Sequence, residues 1–298
     1  MSRWIDRQEE KEGGGLETGL SRSGSGKEAR QRTIPEVAES SDFGDNARER
    51  IVLRGREYFV RRSQTEAMFE IGRFRALDAE DLKVGLYAGN ARLASGDIRS
   101  LAEQRLVKAL WIRGEDGKPK QIVSLTKEGA FLLRSRDPRV EREDQVIYAG
   151  HVKIAELEHD SLLYRAYMAE NRRLRGEGGL IRRIVLDYEL KKDLFSRQQR
   201  NGGGRPSREL REQSAKELSL PVVNGHVTLP DFRIEYEDDQ GERSRVDIEV
   251  ATGNYRQAHL AAKVQAGFRI YAPRLAVEQG GYLKGNIFKD RSTTVFAL

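Results

Sequence analysis

Two acidic residues in neighbouring predicted strands offer the clearest chemistry in the sequence. Asp231 begins one predicted strand, and Glu249 lies in the next. The turn Asp238-Asp239-Gln240-Gly241 between the strands predicts a hairpin, which would bring the two carboxylates together. Such a pair can share Mg²⁺, because this hard cation prefers oxygen ligands and keeps positions open for a phosphate and a water.

A lysine beside the acidic pair would position the attacking water and offset the charge that develops at a phosphodiester. The residue two positions after Glu249 is Ala251, so a lysine on the same strand is missing. Lys263 lies in the helix predicted over 257–267. We expect this residue to bring its ammonium group to the pair instead.

A second group of polar residues is typical of contacts to nucleic acid. Arginine and lysine suit phosphates, and polar side chains away from the apolar face of a helix can meet base edges in the major groove. We predict DNA contacts from Arg61, Arg62, Arg99, Ser100, Gln104, Lys118 and Lys120. Each of these residues taken alone is also typical of a solvated surface.

The elements that carry these cations follow the order of a winged helix-turn-helix. Apolar residues at helical spacing predict three helices before residue 107, the third of them, around 98–106, as the recognition helix. Two strand-like runs, 107–113 and 121–125, flank an Asp-Gly turn and predict a hairpin. Thr126 then caps a closing helix that ends near residue 136.

The fold class that we predict is α+β or α/β with two domains. Residues 1–47 are expected to form a disordered arm, because glycine and charge leave little to bury. Residues 48–136 form the winged helix-turn-helix DNA-binding domain, and 137–150 an exposed, charged connector. Residues 151–298 form the second domain, with mixed helices and strands.

At the acidic pair the sequence resembles the PD-(D/E)xK nuclease superfamily, with Asp231 and Glu249 matching its paired acids. The whole arrangement is similar to the replication-relaxation family of plasmid and mobile-element proteins, which join a winged helix to this nuclease-like fold. The matching pieces span about 60–272: Ile71-Gly72-Arg73-Phe74-Arg75-Ala76-Leu77, Ser124-Leu125-Thr126-Lys127-Glu128-Gly129, His159-Asp160, Pro230-Asp231, Ile248-Glu249-Val250-Ala251-Thr252 and Lys263.

The resemblance implies a restriction-endonuclease-like second domain, a mixed sheet flanked by helices. It also implies a role for Glu189, which lies where many members carry an additional acid; a solvent-facing helix residue is the alternative for this position. The expected catalytic set is therefore Asp231, Glu249, Lys263 and Glu189, with Asp231 and Glu249 as ligands of Mg²⁺. Ala251 departs from the nuclease pattern.

Three functions follow as hypotheses. The first is a DNA-binding protein of a plasmid or mobile element that acts in replication, relaxation or transfer, with metal-dependent phosphodiester cleavage. The second is a regulator or relaxosome accessory factor whose nuclease-like domain has lost catalysis, and the third is a protein-interaction scaffold. The expected partners are double-stranded DNA and other replication or transfer proteins. The oligomeric state stays open.

The composition of the chain indicates which partners and which kinds of site to expect. The chain has 298 residues, 53 Lys and Arg against 47 Asp and Glu, and an isoelectric point near 9.4, which favours a polyanionic partner. Cysteine is absent, which excludes disulfides, thiolate metal sites and cysteine nucleophiles. No apolar run is long enough for a membrane span, so we expect a cytoplasmic protein without a membrane partner.

The four histidines do not form a recognisable metal motif. His151, His159, His226 and His259 lack the close pairing of a helical zinc site. The sequence also lacks the His-hydrophobic-His run that accompanies a catalytic tyrosine in nicking relaxases. His159-Asp160 is most simply interpreted as a capping and packing pair.

Overall fold

The structure of the chain is a computed structural model that describes residues 43, 46–114, 117–150, 154–200, 207–251, 257–273 and 295–298. Within these ranges the fold is mixed α/β, as the sequence predicts. Most of the predicted arm, 1–47, lies outside the described residues. In the parts that are described, no helix has both the length and the apolar character that crossing a bilayer requires.

Short strands and helices alternate in the first half of the chain. The elements are β1 (Glu49–Leu53), β2 (Arg56–Val60), α1 (Arg62–Phe74), β3 (Ala76–Asp78), α2 (Ala79–Leu86), α3 (Ala91–Glu103), β4 (Val107–Arg113), β5 (Pro119–Leu125), α4 (Lys127–Arg136) and α5 (Pro138–Arg142). β1 and β2 form an antiparallel hairpin. The other strands form an antiparallel sheet in the order β3-β5-β4.

Side-chain caps explain where the helices of this half begin. The carboxylate of Asp78 accepts a hydrogen bond from Glu80 N at the start of α2, and Thr126 Oγ1 accepts from Gly129 N at the start of α4. Asn90 caps α3 in the same way. Because of this cap, α3 begins at Ala91, earlier than the 98–106 that apolar spacing alone predicts.

The second half contains a larger sheet between helices. Its elements are α6 (Ile154–Gly176), β6 (Leu180–Leu186), α7 (Asp187–Arg200), α8 (Arg208–Glu217), β7 (Val222–Val223), β8 (His226–Val227), β9 (Phe232–Glu237), β10 (Arg243–Val250), α9 (Gln257–Gln265), β11 (Arg269–Ala272) and β12 (Val295–Ala297). The sheet order is β12-β11-β10-β9-β6. β6, β9 and β10 are antiparallel, whereas β10, β11 and β12 are parallel.

The two halves share one hydrophobic cluster. The ring of Phe74, at the end of α1, lies 5.3 Å from that of Tyr164 and 5.0 Å from that of Tyr167, both on α6. It also lies 6.2 Å from the ring of Phe232, on β9. All four rings are buried. The helix α6 therefore packs against the first half and against one face of the five-stranded sheet.

The segment 137–150 differs from the exposed connector that its charge predicts. It contains α5, and its residues Gln145 and Ile147 are buried. Gln145 Oε1 accepts a 2.9 Å hydrogen bond from Ile184 N, and Gln145 Nε2 donates a 3.0 Å bond to Ile184 O. The physical reason is that β6 is an edge strand, whose backbone groups need partners from outside the sheet.

Candidate functional site

Asp231 lies at the start of β9, where backbone and side-chain bonds fix its orientation. Its N–H donates to Ile248 O at 3.0 Å, and its carbonyl oxygen accepts from Asp187 N at 2.9 Å. Its carboxylate Oδ2 accepts a 2.8 Å bond from Val250 N. The side chain is therefore held in one orientation at the end of the β9–β10 hairpin.

Glu249 lies within β10 and has no exposed surface. Its neighbours Ile248 and Val250 belong to the shared cluster, so the alternation of the strand turns Glu249 to the opposite face of the sheet. Its Oε2 accepts bonds from Asp231 N at 3.2 Å and from Lys263 Nζ at 2.8 Å. A buried carboxylate needs such partners, because burial of an unpaired charge costs several kcal/mol.

Lys263 reaches this acid from the last turn of α9. Its Nζ also donates a 2.6 Å bond to Leu229 O, and 19% of its side chain is exposed. Ala251, by contrast, is fully buried in an apolar cluster with Leu260. A lysine at position 251 would have to bury its charge there, so the helix is the more favourable place from which to pair with Glu249.

A cleft of about 420 Å³ opens beside Asp231. Its walls include His159 and Asp160 near the start of α6, Tyr188 near the start of α7, and Arg75 between α1 and β3. The first half of the chain therefore contributes a positively charged side chain, that of Arg75, to a cleft whose acidic side chains come from the second half.

His159 is a site residue that the sequence analysis missed. Its Nε2 lies 3.6 Å from Asp231 Oδ1, and 37% of its side chain is exposed. Burial acts to lower the pKa of His159, but the nearby carboxylates of Asp231, Asp160 and Glu249 together outweigh it and raise that pKa above its ordinary value. The pair His159-Asp160 is one of the matching pieces in the sequence, where it is interpreted as a capping and packing pair; in the structure the imidazole instead lies beside Asp231.

Asp160 and Arg75 form the least satisfied part of the cleft wall. The buried Asp160 Oδ2 has no hydrogen-bond partner, and Arg75 Nε lies 3.7 Å from it. The other contact of Arg75 is a 2.8 Å ion pair with Glu156. Arg75 has a φ of 69°, a conformation that costs energy for a residue with a Cβ and is concentrated at functional sites.

The donor set limits the kind of cation site that this region can form. Among the described residues, no three His, Asp or Glu side chains are placed so that they could hold a metal ion together. Asp231 lines the cleft with its Oδ1 near His159, whereas the paired Glu249 and Lys263 are not among the residues that line it. Mg²⁺ often binds through one or two carboxylates and keeps several waters. The residues fit such an open site and do not fit a closed cage.

Glu189, the fourth predicted catalytic residue, is not brought to this group. It is buried, and its carboxylate accepts bonds from Tyr148 Oη at 2.9 Å and from Arg183 at 2.6 Å. Burial raises the pKa of Glu189 although Arg183 opposes the shift. Because it follows Tyr188 by one residue on α7, it points about 100° away from the cleft. Because Glu189 is buried, the solvent-facing alternative for this residue is wrong.

The residues predicted to contact DNA from α3 have different environments. Arg99 is exposed, and Ser100 is partly buried. Gln104, just after the helix, accepts a 2.7 Å bond from Phe59 N and donates a 3.0 Å bond to Phe59 O. Its amide is therefore engaged with β2 and is not directed to solvent.

Two further residues of α3 share the exposed face with Arg99. Arg92 and Ser95 are exposed, and both lie on this face at helical spacing. They were missed because the predicted helix began too late. A cap at Asn90 was the available signal, since asparagine before an apolar-periodic run marks a helix start.

The remaining predicted DNA contacts lie at two other places. Arg61 immediately precedes α1 and is partly buried, and Arg62 is its exposed first residue. Lys118 is exposed before β5, and Lys120 is partly buried within it.

A comparison of the chain with protein-family models, curated proteins and solved structures finds no match. The chemistry of the site therefore has to be argued from its own residues. Those residues are an oriented carboxylate at a cleft, a buried carboxylate behind it, an ammonium group bound to the second acid, and an imidazole beside the first.

Proposed function

We propose that the chain is a DNA-binding protein whose second half carries a divalent-cation-dependent phosphodiesterase site, and that it acts in replication, relaxation or transfer of plasmid or mobile-element DNA. The observation that carries this proposal is the convergence of Asp231, Glu249 and Lys263. The Oε2 atom of Glu249 accepts bonds from both other residues.

Each of the three residues has a distinct role in the proposed site. The carboxylate of Asp231 would hold the cation at the cleft. The chemistry that Mg²⁺ would supply there is polarisation of the substrate phosphate and a lower pKa for an attacking water. Glu249 holds the ammonium group of Lys263 in position, and Lys263 offsets negative charge that develops at the phosphate.

The first half supplies the DNA contact in this proposal. Its order α1-β3-α2-α3-β4-β5-α4 and its strand order β3-β5-β4 support a winged helix-turn-helix. The exposed face of α3, with Arg92, Ser95 and Arg99, is then the surface that enters the major groove. The β4–β5 hairpin is the wing.

Plasmid cleavage tests the enzymatic part. Full-length protein is incubated with supercoiled plasmid and Mg²⁺ or Mn²⁺, and nicked and linear products are followed over time. We expect cleavage that stops with chelator and is lost in Asp231→Asn and Lys263→Gln. The exposed Asp239, in the turn between β9 and β10, provides a matched control: Asp239→Asn should cleave like wild type.

Duplex binding tests the other part. Fluorescence anisotropy of a labelled duplex should show affinity that falls steeply with salt, because phosphate contacts release counterions. Arg99→Ala should reduce the preference for a selected sequence, whereas Lys118→Ala should weaken binding to all duplexes about equally. An affinity for duplex that is undetectable even at low salt contradicts the proposal.

A non-catalytic DNA-binding factor is the second candidate, and one observation favours it. Glu249 is fully buried and already paired with Lys263, so of these two acids only Asp231 offers a cation an accessible carboxylate. Binding of Mg²⁺ measured by calorimetry, together with unchanged plasmid, selects this candidate. Cation-dependent cleavage that is lost in Asp231→Asn excludes it.

A further inference from the structure

The helix α7 carries two aromatic side chains on its solvent side. Tyr188 is 62% exposed and Phe195 is 60% exposed, which is unusual for side chains of this size. They are seven positions apart, so they lie on nearly the same helix face and about 10 Å apart along the helix axis. The exposed residues Lys191, Lys192 and Gln199 share that face. We call these five residues the α7 stripe.

The charge of the α7 stripe has one sign. It contains two lysines and no acid. The exposed Asp193 projects from a different side of the helix, but Asp187 lies only about 40° from Lys191 around the helix and forms an ion pair with it. Lys192 therefore supplies the main positive charge of the stripe. Aromatic faces interleaved with cations suit a polyanion with unpaired bases, because bases stack on the rings and phosphates meet the ammonium groups.

The α7 stripe begins at the candidate site. Tyr188 and Lys191 line the same cleft as Asp231, and Phe195 lies two turns farther along the helix. A ligand that follows the stripe toward the start of α7 therefore arrives at the cleft.

We propose that the α7 stripe binds single-stranded nucleic acid and leads an unpaired strand to the cleft beside Asp231. This inference deepens the proposed function, on which its link to the cleft rests, because it names the substrate class: DNA with an unpaired segment rather than continuous duplex. Bases of an intact duplex are already stacked on each other, so only an unpaired strand can use both rings.

The test is binding of full-length protein to a labelled oligo-dT and to a duplex of equal length, followed by fluorescence anisotropy in chelator. The Asp231→Asn variant serves as the background, so that no cleavage interferes. We expect the single strand to bind, with affinity at least about five-fold weaker in Tyr188→Ala and in Phe195→Ala, since one stacked base contributes 1–3 kcal/mol. Tyr188→Phe should retain the affinity.

Matched controls separate stacking from general loss of aromatic or charged surface. Phe59 is 44% exposed on β2, and Phe59→Ala should leave single-strand binding unchanged. Lys192→Ala should weaken it more than Lys216→Ala, because Lys216 is exposed on α8, outside the stripe. Equal losses in stripe and control variants overturn the proposal.

Other outcomes are equally decisive. In one such outcome, the protein self-associates as its concentration increases, and Phe195→Ala abolishes this self-association without changing the affinity for oligo-dT. The stripe would then bind a second copy of the chain, and the proposal would be overturned. If the protein cleaves plasmid but substitutions in the stripe do not change the affinity for oligo-dT, this inference is overturned and the proposed function stands. Stripe-dependent binding without cleavage supports the stripe and removes the phosphodiesterase.

Discussion

Asp160 is a buried acid on the cleft wall, and its ionisation influences the stability of the fold. Burial raises its pKa to about 6, although Arg75 and His159 lie nearby and oppose the shift. The ordinary pKa of an aspartate is 3.8. The folded chain therefore binds more protons than the unfolded chain between about pH 4 and pH 6, and the contribution of Asp160 to the free energy of unfolding falls as pH rises through this range.

We predict that Asp160→Asn removes this fall. The variant should be about 3 kcal/mol more stable than wild type at pH 7.5 and should approach it near pH 4, since the shift is about two pKa units and each unit corresponds to about 1.4 kcal/mol. Urea unfolding at several pH values measures the difference. Glu156→Gln, at a more exposed position in the same cleft, should change stability less. A constant offset between Asp160→Asn and wild type at all pH values contradicts the prediction.

The pair of Lys263 and Glu249 leads to a second prediction at this scale. Lys263→Met should lower the free energy of unfolding by about 3 kcal/mol, because it leaves the carboxylate of Glu249 buried without its cation. The double variant Lys263→Met with Glu249→Gln should recover most of the loss. Thermal or urea unfolding of the two single variants and the double variant measures the coupling; additive losses show that the pair is not coupled.

The acidic site illustrates which residues a sequence can reveal. Asp231 and Glu249 could be predicted because a local hairpin brings them together, and Lys263 follows in the next helix. His159 and Arg75 could not, since they reach the cleft only through packing of α6 and α1. No local pattern encodes packing between distant segments.

At the scale of elements, two backbone segments approach each other so closely that one position requires glycine. A Cβ on Gly129, in the first turn of α4, would lie 2.1 Å from Leu106 O, which precedes β4. Gly129→Ala should therefore force α4 away from β4 and cost about 2–3 kcal/mol. Gly96, in the exposed part of α3, has nothing within 4 Å of such a Cβ, and Gly96→Ala should stabilise by about 0.5–1 kcal/mol. Urea unfolding of the two glycine variants measures both changes in stability. Equal changes in the two variants contradict the prediction.

Local patterns predicted most elements of the first half, because caps, helical spacing and the Asp-Gly turn are local features. They did not predict the burial of Gln145 and Ile147 within 137–150, where the charge of the segment predicted exposure. Gln145 and Ile147 are buried there because β6 and α1 lie against the segment, and Tyr148 N donates a 2.8 Å bond to Gly72 O. A contact of this kind depends on tertiary structure.

At the scale of the whole molecule, the shared cluster makes the two halves depend on each other. Phe74 is fully buried between side chains of α6 and β9. We predict that Phe74→Ala lowers the free energy of unfolding by about 3–5 kcal/mol, and that variant and wild type both unfold in a single transition. The exposed Val84 is the control, with an expected loss below about 0.5 kcal/mol in Val84→Ala.

Two probes measure this cooperativity. In a Trp4→Phe background, Trp111 is the only tryptophan and reports on β4 in the first half. Far-UV circular dichroism reports on all helices, including α6. Coincident urea transitions confirm the prediction, and separate transitions contradict it. The sequence did not reveal this dependence, because its two parts show separate patterns that contain no information about their interface.

The two glutamines described above have a consequence for the behaviour of the protein in crowded solution. Gln104 bonds to both backbone groups of Phe59 on β2, and Gln145 does the same for Ile184 on β6. Each amide mimics one residue of an additional strand along an otherwise open edge. Because open edges recruit strands from other molecules, we expect these two side chains to hinder β-sheet pairing between copies of the protein.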